Sequence, residues 1–331
     1  MIRSKVLPFF FIMATSSAAL AKSLTIYTER KDHLLKPVCE AYKQKTGVSC
    51  VLLSDQSSVL IEKLKAEGAK SPADLFLTVD AGNLWNAARL GLLEPVTGGT
   101  LKDAVPEHLR DPQNRWFGVS LRARTLVYNP DKVKEADLKS PMNLADPQFK
   151  KRLCLRSAKK IYNQSLVALL IAEHGEEAVE KAVRGWVSNL AAPVFPDDTK
   201  LIEAVAQGQC DVGLVNTYYL GRLQAEKPSI KAKLFFPPAS QGGTHVNISG
   251  AGILKTSTKK AEAQQFLEWL LTPEAQKIFA DVNFEYPVNP KVAPAPLVQA
   301  WGPMVMSTVP LFQAGELQEK AIKLMDRAGY Q

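Results

Sequence analysis

Short apolar strands alternate with helices along most of this chain, and two longer β-rich passages interrupt the alternation. Hydrophobic spacing and stop residues predict strands at 23–27, 48–53 and 75–78. Helices are expected at 34–45, from Ser57-Ser58 to Glu67, and at 82–90, with Gly47 and Gly68 as stops. Strands that alternate with helices build a parallel sheet covered on both faces. The first β-rich passage, 119–128, ends at Asn129-Pro130. The second, 245–248, lies between Gln241-Gly-Gly243 and Ser249-Gly-Ala-Gly252. More alternating elements fill 130–238. Two lobes joined by two crossing strands make a hinge with a cleft between them, a natural ligand site. The expected class is α/β, with one lobe from 22–122 and 247–298 and the other from 123–246 and 299–331.

The 331 residues are too many for one ordinary core, which agrees with two lobes. The first 21 read as a secretory signal peptide. Arg3 and Lys5 precede an apolar run, and Ala19-Leu-Ala21 is a small-x-small cleavage site. No cysteine stands there to carry a lipid, and no later stretch has the ~18 uninterrupted apolar residues of a membrane span. The expected product is soluble and exported. The formal net charge of +8 is spread among acids, as in Glu62-Lys-Leu-Lys-Ala-Glu67, and the basic, aromatic strip of a nucleic-acid binder is missing. Four cysteines suit an oxidising compartment. Cys154 and Cys210 fall in apolar runs that read as buried strands of one sheet, and Cys39 and Cys50 on a helix and the strand after it. Three connectivities are open; Cys154–Cys210 and Cys39–Cys50 are favoured. None of the cysteines shows zinc spacing.

The chemistry of the chain centres on Tyr218-Tyr219, two adjacent phenols after the apolar run 212–215. A phenolate is a hard oxygen donor and selects hard, highly charged cations. With a free pKa of about 10, the phenol gives up its proton near neutral pH only to a strongly Lewis-acidic ion such as Fe(III). The simpler reading is a pair of aromatics anchoring a strand-to-helix junction. Enzyme motifs are missing: there is no His-Glu-x-x-His, Gly-x-Ser-x-Gly or phosphate-binding Gly-rich loop, and the four histidines are scattered.

Several segments carry a resemblance: Ile26-Tyr-Thr-Glu-Arg30, Ser71-Pro-Ala-Asp-Leu-Phe-Leu-Thr78, Leu126-Val-Tyr-Asn-Pro130, Tyr162-Asn-Gln-Ser165, Asn216-Thr-Tyr-Tyr219, Leu271-Thr-Pro-Glu-Ala-Gln276 and Phe284-Glu-Tyr-Pro-Val-Asn-Pro290. Over essentially all of its length after the signal, the chain resembles the periplasmic ferric-ion-binding proteins of ABC-type iron importers. These are transferrin-like members of the solute-binding superfamily. The resemblance implies the two-lobed type II periplasmic-binding-protein fold, Fe(III) as cargo, an inner-membrane ABC permease as partner, and a monomer. It implies Tyr162, Tyr218 and Tyr219 as metal ligands, with the remaining positions filled by the other lobe, water or an anion.

Many relatives place a histidine where this chain has Lys31, and a glutamate where it has Val79. The sequence instead looks like the branch that completes the sphere with carbonate or bicarbonate. There Arg30 matches the anion-holding arginine, with Arg122 a second basic residue near the metal. Tyr27, His33, Asn163, Asn216 and Arg222 are candidates for supporting positions around the ligands, with Tyr27 expected to pack or hydrogen-bond and not to ligate. Asp80 is expected to cap a helix. A competing reading is a phosphate- or sulfate-like anion-binding protein of the same fold, with Arg30, Arg122 and a helix N-terminus near Ser57-Ser58 as its site.

Overall fold

The computed structural model describes residues 22–331; the signal expected over 1–21 lies outside the described residues. Its strands are β1 (Ser23–Thr28), β2 (Ser49–Ser54), β3 (Leu75–Thr78), β4 (Phe117–Tyr128), β5 (Leu153–Cys154), β6 (Val212–Asn216), β7 (Lys233–Phe235) and β8 (Val246–Ile253). They are ordered β2-β1-β3-β8-β4-β6-β5, with β7 against β4. β1 pairs in parallel with β2 and β3, and β5 with β6, whereas β8 and β4 run antiparallel to their neighbours. β3, β4, β6 and β8 are buried at every residue, as strands covered on both faces must be.

β4 is the crossing strand. Its residues Phe117–Ala123 pair with β8, and Arg124–Tyr128 pair with β6. The partner exchange divides the core. One hydrophobic cluster runs from Leu24 to Ala123 and resumes at Val246, while two others draw on Leu126 to Ala232. Within the C-terminal stretch 299–331, which the sequence expectation gave to the second lobe, the buried residues divide between two clusters. Leu311 and Ala314 belong to the first cluster, and only from Leu317 onward does the chain join the second. No local pattern marks that switch, because both stretches bury apolar residues at helical spacing.

β8 runs on through Ser249-Gly-Ala-Gly252, where the sequence had suggested a break at 248. A Cβ at Gly252 would stand 2.5 Å from the Arg115 carbonyl oxygen, so glycine here admits a neighbouring chain and does not end the strand. The helix Asp32–Thr46 turns Leu35, Val38 and Tyr42 inward and stops at Gly47, whose φ of 75° favours glycine. Cys39–Cys50 ties that helix to β2, and Cys154–Cys210 ties β5 to the approach of β6, the two favoured pairs. Asp80 caps the helix Ala81–Arg89 by accepting from the Gly82 N–H at 2.7 Å. Ser57 does not cap the helix Ser57–Glu67; its hydroxyl donates to Glu29. Among the described residues no helix is long and apolar enough to cross a membrane.

Candidate functional site

β6 runs directly into the helix Thr217–Glu226, and a short turn joins β5 to the helix Ile161–His174. Tyr218 and Tyr219 therefore stand in the first turn of one helix and Tyr162 in the first turn of the other. A helix start presents unpaired N–H groups and the positive end of its dipole, both favourable to an anionic oxygen.

A single buried guanidinium holds these two helix starts together. Arg124 Nε donates to Asn163 Oδ1 at 2.9 Å, and its Nη1 donates to Asp198 Oδ2 at 3.0 Å and Asn216 Oδ1 at 3.3 Å. Asn163 follows Tyr162 and Asn216 precedes the tyrosine pair, so one side chain sets the spacing of all three phenols. Asn216 Nδ2 also approaches the Tyr218 hydroxyl at 3.4 Å.

The rings of Tyr218 and Tyr219 stack with centroids 4.4 Å apart. Three arginines lie against the tyrosines: Arg122 at 5.2 Å from the Tyr162 ring, Arg156 at 5.5 Å from Tyr162 and 5.8 Å from Tyr219, and Arg222 at 5.1 Å from Tyr218. Burial pushes the Tyr162 phenol above its ordinary pKa, against the pull of Arg122. Tyr218 is held well above it by burial and by its neighbours Tyr162 and Tyr219. Both phenols are therefore neutral at pH 7 unless a strong Lewis acid displaces the proton.

The tyrosines border a cavity of about 230 Å³, closed on the other side by Glu29, Arg30, Lys31, Leu34, Val79, Asn283 and Glu285. Here Arg30 departs from the expectation of a fork free to grip an anion. Its Nη1 and Nη2 donate to the two oxygens of Glu285 at 3.2 and 3.0 Å, and Nη1 also donates to Ser249 Oγ at 2.8 Å. A cation this deeply buried demands a counter-charge, and the protein supplies one. Burial works against ionisation of Glu285, but Arg30 outweighs it and holds the carboxyl below the usual carboxylate range. Arg122 donates from Nη2 to the Ile248 carbonyl at 3.1 Å, and its Nε has no protein partner. Glu29 accepts from Ser57 at 2.5 Å, Thr78 at 2.9 Å and Asn83 at 3.3 Å, all at the same oxygen, Oε2.

Two candidate supporting residues lie away from the cavity. His33 is exposed, because the helix opens at Asp32 and turns Leu34 inward instead. Tyr27 is buried, with its hydroxyl donating to Glu67 at 2.9 Å, and burial together with that carboxylate pushes its phenol up to about 12. The sequence reading missed Glu29, Arg156, Asn283 and Glu285. A signal existed for two of them: an arginine closing the apolar run Leu153-Cys-Leu-Arg156, and a glutamate between Phe284 and Tyr286. A charge set in apolar sequence is buried and must be paired. Among the described residues no group of three His, Cys, Asp or Glu could hold a metal ion.

A two-lobed α/β fold with this cleft defines a solute-binding protein, and comparison with known proteins agrees. Residues 38–304 match the family model of bacterial extracellular solute-binding proteins. The chain is 39% identical over 315 residues to iron uptake protein A1 of Synechocystis, covering 93% of this chain and 88% of that one. It superimposes with a TM-score of 0.89 on a Trichodesmium FutA (IdiA) structure in complex with iron and citrate ligands, at 42% identity, covering 93% of this chain and all of that one. The Campylobacter jejuni ferric binding protein gives a TM-score of 0.86 at 33% identity, covering 93% and 99%. The chain belongs to the bacterial extracellular solute-binding proteins and, within them, to the periplasmic ferric-binding branch; it is a transport component and not an enzyme.

Proposed function

We propose that this protein captures Fe(III) in the interlobe cleft through the phenolate oxygens of Tyr162, Tyr218 and Tyr219 and delivers it, as a monomer, to an inner-membrane ABC permease. The observation that carries the reading is the convergence of three phenols at two helix starts inside a frame of arginines. Three phenolates match the charge of ferric iron, and hard oxygen suits it. The remaining positions go to a synergistic anion, carbonate or another small carboxylate, with Glu29 on the facing wall as a further oxygen donor. Arg122, with its unpartnered Nε, is the first anion holder. Arg30 takes that part only where Glu285 gives up the fork.

Ferric loading should produce a coloured phenolate-to-iron charge-transfer band, and the test compares loading with bicarbonate, with citrate and with neither. A colourless protein that takes phosphate or sulfate in calorimetry but never iron would replace this reading with that of an anion carrier.

A further inference from the structure

A chain of side chains crosses the cleft and ends on the tyrosine pair. Arg222, whose guanidinium lies over the rings of Tyr218 and Tyr219, donates from Nη2 to Asn283 Oδ1. Asn283 Nδ2 donates to Glu285 Oε1 at 2.6 Å, and Glu285 holds Arg30. Asn283 and Glu285 are each 2% exposed. A carboxamide can accept from a cation through its oxygen while its NH2 donates to an anion on the other side.

The backbone supports the same junction. Phe284 adopts φ 54°, a left-handed conformation that is costly for a bulky residue. Its side chain sits over Gly221 of the tyrosine-bearing helix, where a Cβ would meet Phe284 Cβ at 2.8 Å. The turn at 283–285 is thus shaped to press one lobe onto the helix of the other, one residue from Arg222.

We propose that Asn283 is a positioning residue for iron retention. It fastens Arg222, and through it the tyrosine pair, to the Glu285–Arg30 pair of the facing lobe, and so sets how slowly iron leaves rather than whether it is captured. The proposal rests on ferric binding by the three tyrosines. Asn283→Ala should keep the charge-transfer band, which reports the phenolate donors, and should change the loading rate far less than the release rate. Release to excess EDTA should be at least tenfold faster, and scattering should show a larger radius for the loaded variant. Gly221→Ala, which wedges the junction from the other side, should likewise speed release. The double variant Asn283→Ala/Arg222→Ala should release no faster than Arg222→Ala alone, since both act through one link.

Thermal melting of the iron-free proteins confirms that each variant is folded. Release from a folded Asn283→Ala protein at the wild-type rate, or effects of the two substitutions that simply multiply, would overturn the proposal. A wild-type protein that never takes iron would overturn the reading beneath it, and the two failures are told apart by the wild-type spectrum.

Discussion

The two walls of the cleft differ in how their polar groups are engaged. On the first lobe Arg30 is held through Nη1 and Nη2 by Glu285 and Ser249, and one oxygen of Glu29 by Ser57, Thr78 and Asn83, while Arg30 Nε and Arg122 Nε keep no partner. On the second lobe three phenols meet, and Asn216 Nδ2 approaches the Tyr218 hydroxyl at 3.4 Å. Beside them Arg156 Nη1 lies 3.6 Å from Asp198 Oδ1, an ion pair too long for a hydrogen bond, and Nε and Nη1 have no hydrogen-bond partner. Satisfied polar groups make a rigid surface, and unsatisfied buried ones keep binding capacity in reserve. On the proposed reading the second lobe, which carries the three phenols, is the capturing wall, and the first closes over it as a lid.

The largest break in that contrast is on the capturing wall. Tyr218→Phe with Tyr219→Phe removes two donor oxygens and keeps both rings. Ferric affinity should fall by more than the roughly 100-fold that loss of an outer partner costs, and the coloured band should vanish. Titration against a competing chelator checks this, and near-normal binding would mean that the tyrosines are packing residues.

On the lid the effect should fall on stability. Arg30→Ala leaves Glu285 as a buried, unpaired charge and should cost about 3–5 kcal/mol of unfolding free energy. Arg30→Ala with Glu285→Gln should recover much of that loss. Urea unfolding of the iron-free proteins measures both. Equal stability of the single and double variants would show that the pair does not act as a unit.

Arg156 sharpens the comparison from the capturing side. Arg156→Gln keeps a polar side chain but removes the cation between Tyr162 and Tyr219. Ferric affinity should fall about 10–100-fold, with a shifted charge-transfer band, and Arg156→Lys should restore part of both. An unmoved band would assign Arg156 to lobe packing alone.

The smallest effect belongs to the junction of the lobes. Asp80 accepts from Ser165 Oγ of the second lobe at 2.8 Å and Asn247 Nδ2 at 2.7 Å, and burial raises its pKa to about 6, against the opposing pull of Arg122. The unfolded carboxyl loses its proton near pH 4 and the folded one near 6, so the folded state is the proton-richer one between them. Its contribution to stability is present below about pH 4 and is lost as pH rises through 6. Asp80→Asn should flatten the stability profile of the iron-free protein across that window. The same slope in both proteins would place the titration elsewhere.

Alternation of short strands with helices was legible in the sequence because it depends on residues three to five apart, and it located β3 and the long β4 closely. The Asp80 cap and both disulfides followed from the same local reading. The tyrosines stood out because phenols beside a strand end are chemically odd wherever they fall. Glu285 was less visible. Its meaning depends on Arg30, 255 residues away, and on a turn that carries its carboxylate into the cleft. His33 is exposed for the complementary reason: proximity in sequence to Arg30 says nothing about direction once a helix begins at Asp32.

By itself, then, the sequence determined the class of fold, the kinds of donor available and the family, since propensity, periodicity and side-chain chemistry are properties of residues and their near neighbours. Only the tertiary structure decided which donors are free. Whether Arg30 grips an external anion or Glu285, whether Tyr27 meets the cavity or Glu67, and whether Leu311 joins one lobe or the other all depend on which distant groups fill the same low-dielectric space. A buried charge is fixed by the partner that reaches it first, and that partner is chosen by packing.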